Sequence, residues 1–176
     1  MCDSDQCKNI PRQAAFSLIE LMIVLAIGTI LLVIAVPNFK QTIDRQKLTT
    51  ASSDLYAAIG LARAEAIRRG TAVELAAVSG NWEKGWTISA PAPSGAAERI
   101  YTHADLPSLV KVAAPSFGTT LSYDGTGRAR QASDSLAVLS GVWTFSISGN
   151  TTFQRKVKIN AVGRPQLCDP LSDPSC

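Results

Sequence analysis

The sequence is poor in the groups that do chemistry. It holds one histidine, His103, in 176 residues, so a Ser-His-Asp arrangement has a single candidate base and a multi-histidine metal site lacks its partners. Within "IYTHADL" that histidine reads as a strand or loop residue. No phosphate loop and no dinucleotide fingerprint occurs in the chain. Charge is sparse as well: a formal net charge of +3 excludes the extended basic surface of a dedicated duplex or chromatin reader. Carboxylates such as Asp124 with Glu98 or Asp134 leave a membrane-tethered enzyme as a distant reading, but nothing in the sequence draws them together. No catalytic residue, cofactor or metal site is expected.

What the chain has instead is a long apolar run. From Leu21 to Val36 no residue is charged. Taken from Phe16 to Pro37 and coiled as a helix, the segment is roughly 30 Å long at about 1.5 Å per residue, which matches a bilayer core. The alternative, a buried helix of a soluble protein, is usually shorter and more interrupted. Lys8 and Arg12 precede the run, so the N-terminus is expected in the cytoplasm and everything after the span on the far side. An ordinary secretory signal puts its small-residue cleavage site after the apolar region, whereas here Ala14 and Ala15 come before it. A cut there keeps the helix. One carboxylate, Glu20, sits near the front edge. Such a charge in hydrocarbon costs about 2.5 to 3.5 kcal/mol, so it needs a cationic partner or a place at the interface.

Beyond Pro37 the apolar residues Phe39, Ile43, Leu48, Ala51, Leu55, Ile59, Ala62 and Ala66 recur at helical steps, with most charges off that stripe. Glu65 and Arg69 make a favourable i,i+4 pair, and Gly70 ends the helix. Pro37 lacks an N–H and predicts a kink or local melting over 33–37. After Gly70 the pattern alternates. "TAVELAAV", "GWTIS", "ERIYTH", "LVKVAA", "TTLSYD", "VWTFSIS" and "RKVKINAV" read as short strands of an antiparallel sheet. The Gly-Asn pair in "SISGNTTF" predicts a hairpin turn, and "SAPAPSGAAE" a surface loop. The amphipathic half of the helix is the natural cover for the sheet, which gives an α+β fold.

The stretch "A-FSLIE", followed by the apolar run and Pro37, resembles the processing signal of type IV pilins and type II secretion pseudopilins. "LARAEAIRRGTAVEL", "EKGWTIS", "YDGTGRAR" and "AVGRPQLC" are similar to the GspH/FimT/FimU group of minor pilins and pseudopilins, over nearly the whole chain. The resemblance implies a type IV pilin-like fold. It also implies a leader over 1–15, removed by prepilin peptidase between Ala15 and Phe16, with N-methylation of Phe16. The family carries Gly before the cut where this chain has Ala15. Residues 16–37 are then the transmembrane half of the helix, 38–70 its amphipathic half, and 71–176 a periplasmic β-rich domain on a single-pass inner-membrane protein. Glu20 is implied to pair with the amine of a neighbouring subunit's first residue, here Phe16. The implied partners are other minor and major pilins or pseudopilins, prepilin peptidase, the inner-membrane assembly platform and membrane lipid.

Two machines fit: a type IV pilus, whose assembly a minor subunit at or near the tip helps to initiate, and a type II secretion system, as its minor pseudopilin H. DNA uptake in this group is tied to a C-terminal G-R-x-R. Here "GRPQ" keeps Gly163 and Arg164 but has Gln166 in place of the second arginine, while "GRAR" upstream supplies Arg128 and Arg130. If Arg128, Arg130 and Arg164 converge, duplex binding is expected to be weak, sequence-blind and steeply salt-dependent. Cys168 and Cys176 lie on the exported, oxidising side and are expected to join; the alternative is two free tail thiols. Cys2 and Cys7 fall in the leader. Trp82, Trp86 and Trp143 read as core residues. The C-terminal tail and a Trp82–Trp86 hairpin are candidate surfaces for contacting other subunits.

Overall fold

The computed structural model describes residues 16–92, 95–131, 134–160, 162–173 and 176, and only the backbone of 33–38, 134–138 and 151. The expected leader with Cys2, Cys7 and Ala15 lies outside the described residues, as do the side chains of Pro37 and Asp134. The chain divides into two compact units, one ending at Gln41 and the other running from Thr42 to Cys176. One helix, α1 (Leu18–Arg69), contributes to both.

In the first unit, α1 opens with Leu21 N–H donating to Ser17 O at 3.2 Å. Glu20 lies in its first turn, where a negative charge suits the positive end of the helix dipole. Every large apolar side chain from Phe16 to Leu32 is exposed. The backbone stays helical across 33–37, so losing one N–H donor at Pro37 does not melt the turn. Among the described residues no helix is long and apolar enough to cross a membrane; the apolar run continues into 33–36, whose side chains lie outside them.

In the second unit, Leu48, Ala51, Leu55, Ile59, Ala62 and Ala66 of α1 are buried, as their helical spacing predicts. Three of the six are alanines, which let the helix approach its partners closely. The stripe starts later than expected: Phe39 and Ile43 stay 67% and 41% exposed. Gly70, with φ +66°, terminates the helix in the left-handed conformation that glycine adopts without strain.

The strands are β1 (Val73–Ala77), β2 (Trp86–Pro91), β3 (Ala97–His103), β4 (Val110–Ala113), β5 (Thr120–Tyr123), β6 (Ala129–Gln131), β7 (Asp134–Val138), β8 (Gly141–Ile147), β9 (Asn150–Ile159) and β10 (Pro165–Cys168). They form two antiparallel sheets, six strands in the order β3-β2-β1-β5-β6-β7 and four in the order β10-β9-β8-β4. Alternation places Trp86, Ile88 and Ala90 of β2, and Trp143, Phe145 and Ile147 of β8, in the core. Trp143 meets Trp82 edge-on at 5.3 Å and Phe117 at 5.2 Å between ring centroids, the geometry that aromatic quadrupoles favour.

Two local expectations need correction. The loop expected over "SAPAPSGAAE" is confined to its middle, because β2 runs to Pro91 and β3 begins at Ala97. The β1–β2 ladder ends at Glu74 opposite Ser89, so Pro91 overhangs it and removes no donor. In "SISGNTTF" the turn is Ser148-Gly149, since Ile147 pairs with Asn150. Gly149 supplies the positive φ of +77°, and Asn150 already belongs to β9.

Candidate functional site

Two turns built on one plan bring the second unit's sheets together. In the β5–β6 turn, Asp124 Oδ1 accepts from the N–H of Thr126 (2.9 Å), its hydroxyl (2.6 Å) and the N–H of Arg128 (3.1 Å). The Gly127 N–H donates to Asp124 O, and the Asp124 N–H to Arg128 O. In the β9–β10 turn, Asn160 Oδ1 accepts from the N–H groups of Val162 (3.2 Å) and Arg164 (2.9 Å). There the Gly163 N–H donates to Asn160 O, and the Asn160 N–H to Arg164 O. Both follow Asp/Asn-x-x-Gly-Arg: a short side chain caps the turn, glycine takes the positive φ (+76° at Gly127, +77° at Gly163), and arginine follows.

The turns abut. A Cβ on Gly163 would fall 2.8 Å from Ala129 N and 3.0 Å from Gly127 O. Tyr123, buried under them, donates its hydroxyl to Gly163 O at 2.8 Å, and burial pushes its phenol pKa up. Arg63 of α1 donates through Nε to Gly127 O at 2.9 Å, which fastens the pair to the helix. Arg130 is tied to Asp124 by Nε to Oδ2 at 3.0 Å. Burial disfavours the Asp124 carboxylate, but Thr126, the Arg128 N–H and the Arg130 guanidinium outweigh it and hold the pKa at about 2. The three expected arginines therefore divide. Arg128 and Arg164 flank the abutting turns, exposed, with no hydrogen bond or ion pair from either guanidinium among the described residues; Arg130 is half-buried and paired.

At the end of α1, Glu65 binds Arg68 at 2.6 Å and Arg69 at 2.9 Å, and Arg69 also binds Glu98 on β3. Hydrogen bonds from Arg68 and then Arg69 hold the Glu65 pKa at about 2. Glu98 and Asp124 are kept apart, one on β3 and one after β5, with β2 and β1 between. His103 stacks on Trp86 at 4.1 Å, with Nδ1 2.7 Å from Ala104 O and Nε2 3.3 Å from Asp54 Oδ2, a strut from β3 to α1. Among the described residues no group of His, Cys, Asp or Glu could hold a metal ion.

Cys168 and Cys176 form a disulfide with their Cα atoms 5.9 Å apart. Lys156 Nζ donates to Cys176 O at 3.3 Å and Arg155 pairs with Asp169, so β9 holds the tail. Trp82 and Trp86 do not form a hairpin; a 3-10 turn over Trp82–Lys84 precedes β2, and both rings are buried, which removes them as contact groups. In the first unit, Glu20 is exposed and has no ion-pair partner among the described residues.

Residues 51–163 match the family model described as type II transport protein GspH, well over half of the chain. The chain belongs to the GspH family. Ahead of that region, residues 10–36 match the prokaryotic N-terminal methylation motif, which takes in Ala15, Phe16 and Glu20. The GspH match opens on the buried half of α1 and closes on Gly163, so it spans the first turn and all but the final arginine of the second.

Among solved structures, the type IV minor pilin FimU of Pseudomonas aeruginosa is similar in fold. One crystal form has 23% identity over 73% of this chain and 92% of FimU, with a TM-score of 0.61; a second has 24% identity over 71% and 94%, with a TM-score of 0.56. The minor pseudopilin EpsH from the type 2 secretion system of Vibrio cholerae is 13% identical over 70% of this chain and 98% of its own, with a TM-score of 0.53. No curated protein matches significantly in sequence. The GspH-family fold is thus the α+β pilin-like one: a long N-terminal helix packed on antiparallel sheet.

Proposed function

We propose that this GspH-family chain is a minor subunit at or near the tip of a type IV pilus, where it helps to initiate filament assembly. The observation that carries the reading is the N-terminal stretch of α1: a methylation-motif match over 10–36, with every large apolar side chain from Phe16 to Leu32 exposed and one carboxylate, Glu20, that has no ion-pair partner among the described residues. Exposed oil of that extent needs a lipid or protein cover, and a carboxylate in it needs a cation. Residues 16–37 span the inner membrane, with the leader 1–15 in the cytoplasm and 38–176 in the periplasm. Prepilin peptidase cuts between Ala15 and Phe16, Phe16 is N-methylated, and its amine pairs with Glu20 of an adjoining pilin. A bend at Pro37 fits the helix to its neighbours. The assembly platform extracts the subunit from the lipid. The chain acts as a structural part, not an enzyme, with Glu98 and Asp124 each neutralised by an arginine.

A second reading, minor pseudopilin H of a type II secretion system, is favoured by the description of the family it matches, while the higher similarity to FimU favours the pilus. Contact with DNA through Arg128 and Arg164 remains the weakest element, since Arg130 is engaged. Glu20→Ala is expected to be inserted and cleaved yet absent from sheared filaments; normal incorporation would overturn the pairing. Deleting the gene and assaying twitching, transformation and exoprotein release in parallel separates the machines: loss of exoprotein release with twitching intact would replace the pilus by the secretion reading.

A further inference from the structure

We infer that the twin turns at 124–128 and 160–164 form a preorganised cationic docking point, and that its partner is a carboxylate-bearing face of a neighbouring pilin-like subunit. The inference rests on the proposed reading of the chain as a filament subunit.

Each turn is held by its own capping side chain and two backbone hydrogen bonds, and the pair is locked by the Gly163 contact and by Tyr123. The arginine that follows each glycine therefore leaves a fixed base, so little backbone freedom is lost when a partner binds. The two guanidiniums are exposed, and neither has a partner in the chain among the described residues. The carboxylates nearest to them in sequence are engaged elsewhere: Asp124, near Arg128, by the turn and by Arg130, and Asp169, near Arg164, by Arg155. Two unpaired forks on a rigid rim fit two carboxylates, which arginine binds bidentately.

Several features favour protein over nucleic acid. Affinity for duplex DNA grows with the number of phosphates neutralised, and two arginines neutralise few. Among the described residues two of the nearby cations are ion-paired, Arg68 with Glu65 and Arg130 with Asp124, and the third, Arg63, has its Nε turned inward onto Gly127 O. What does stand beside Arg164 is an apolar side chain, Val162, 53% exposed. Arginine next to exposed apolar surface is the composition of a protein interface.

The test uses the full-length chain, affinity-tagged and expressed with the pilin-like subunits encoded beside it, solubilised from membranes in mild detergent. Recovery of those subunits is measured for the wild type, for Arg128→Glu with Arg164→Glu, and for Arg128→Lys with Arg164→Lys. Disulfide formation and protease resistance report folding, which neither pair should disturb because the side chains are exposed. The double reversal is expected to lower recovery of one sibling about tenfold or more. The lysine pair, which keeps the charge but loses the fork, should fall between, and wild-type recovery should decline as salt rises. Equal recovery by the wild type and the double reversal removes the docking point alone. Loss of duplex DNA retention with sibling recovery intact also overturns it, since the surface would then be a nucleic-acid one. A wild type that recovers no sibling removes the filament reading and the docking point together.

Discussion

Gly163 carries the contact between the two turns, and a single methyl group probes it. Its φ of +77° is disfavoured for any side-chain-bearing residue, and the added carbon would lie 2.8 Å from Ala129 N. Gly163→Ala is expected to destabilise the chain by about 2 kcal/mol or more, read as a lower midpoint of chemical unfolding; an unchanged midpoint would mean that the turns do not touch. Asp124 and Glu65 set an acid limit. Their pKa values of about 2 lie below the ordinary 3.8 and 4.5, so the stability they contribute is full above about pH 4.5 and is lost as pH falls from there through 2. Melting temperature should be level from pH 7 to 5 and drop below 4, with a shallower drop for Asp124→Asn; an equal drop would exclude Asp124 as a contributor. The Asp/Asn-x-x-Gly-Arg pattern stands twice in the sequence, where it drew attention to its arginines and did not identify the two turns. Their contact was not visible either, because it joins residues on different sheets through Tyr123, and only geometry shows that Arg130 turns back to Asp124 while Arg128 and Arg164 have no partner among the described residues.

The elements follow their periods where a period is long enough to see. The helical spacing from Leu48 to Ala66 marked the buried face of α1, but spacing names a face and not where its partner begins, so Phe39 and Ile43 were assigned to the stripe and lie outside the packing. The strands β1 to β5, β8 and the second half of β9 announced themselves by alternation. β6, β7 and β10 fall outside the strands expected from the sequence; length does not set them apart, since β4 and β5 have four residues each, and they are defined by their pairing with neighbours. β10 is fixed at its end by the Cys168–Cys176 bridge. Cys168→Ser with Cys176→Ser is expected to cost about 2 to 3 kcal/mol through the freed loop, read by denaturant unfolding under non-reducing conditions. The same stability with and without the bridge would show that Arg155 and Lys156 hold the tail unaided.

For the whole molecule, the opening thirty-seven residues carry most of the functional information. An apolar run with one carboxylate, small residues ahead of it and a proline behind is legible without coordinates, because the requirements that a lipid span and a processing signal would impose are written in consecutive residues. The choice of machine is not legible, since a pilus and a secretion pseudopilus place the same fold against different neighbours, and neighbours leave only scattered surface residues such as Arg128 and Arg164. The central claim is that the chain is a trimmed, membrane-held subunit that stacks through Glu20. Its most direct test is the intact mass and N-terminal sequence of the native product isolated from cells. The account predicts a membrane-fraction chain beginning at N-methylated Phe16; a chain that begins at Met1 and is recovered as a monomer in the soluble fraction would contradict it.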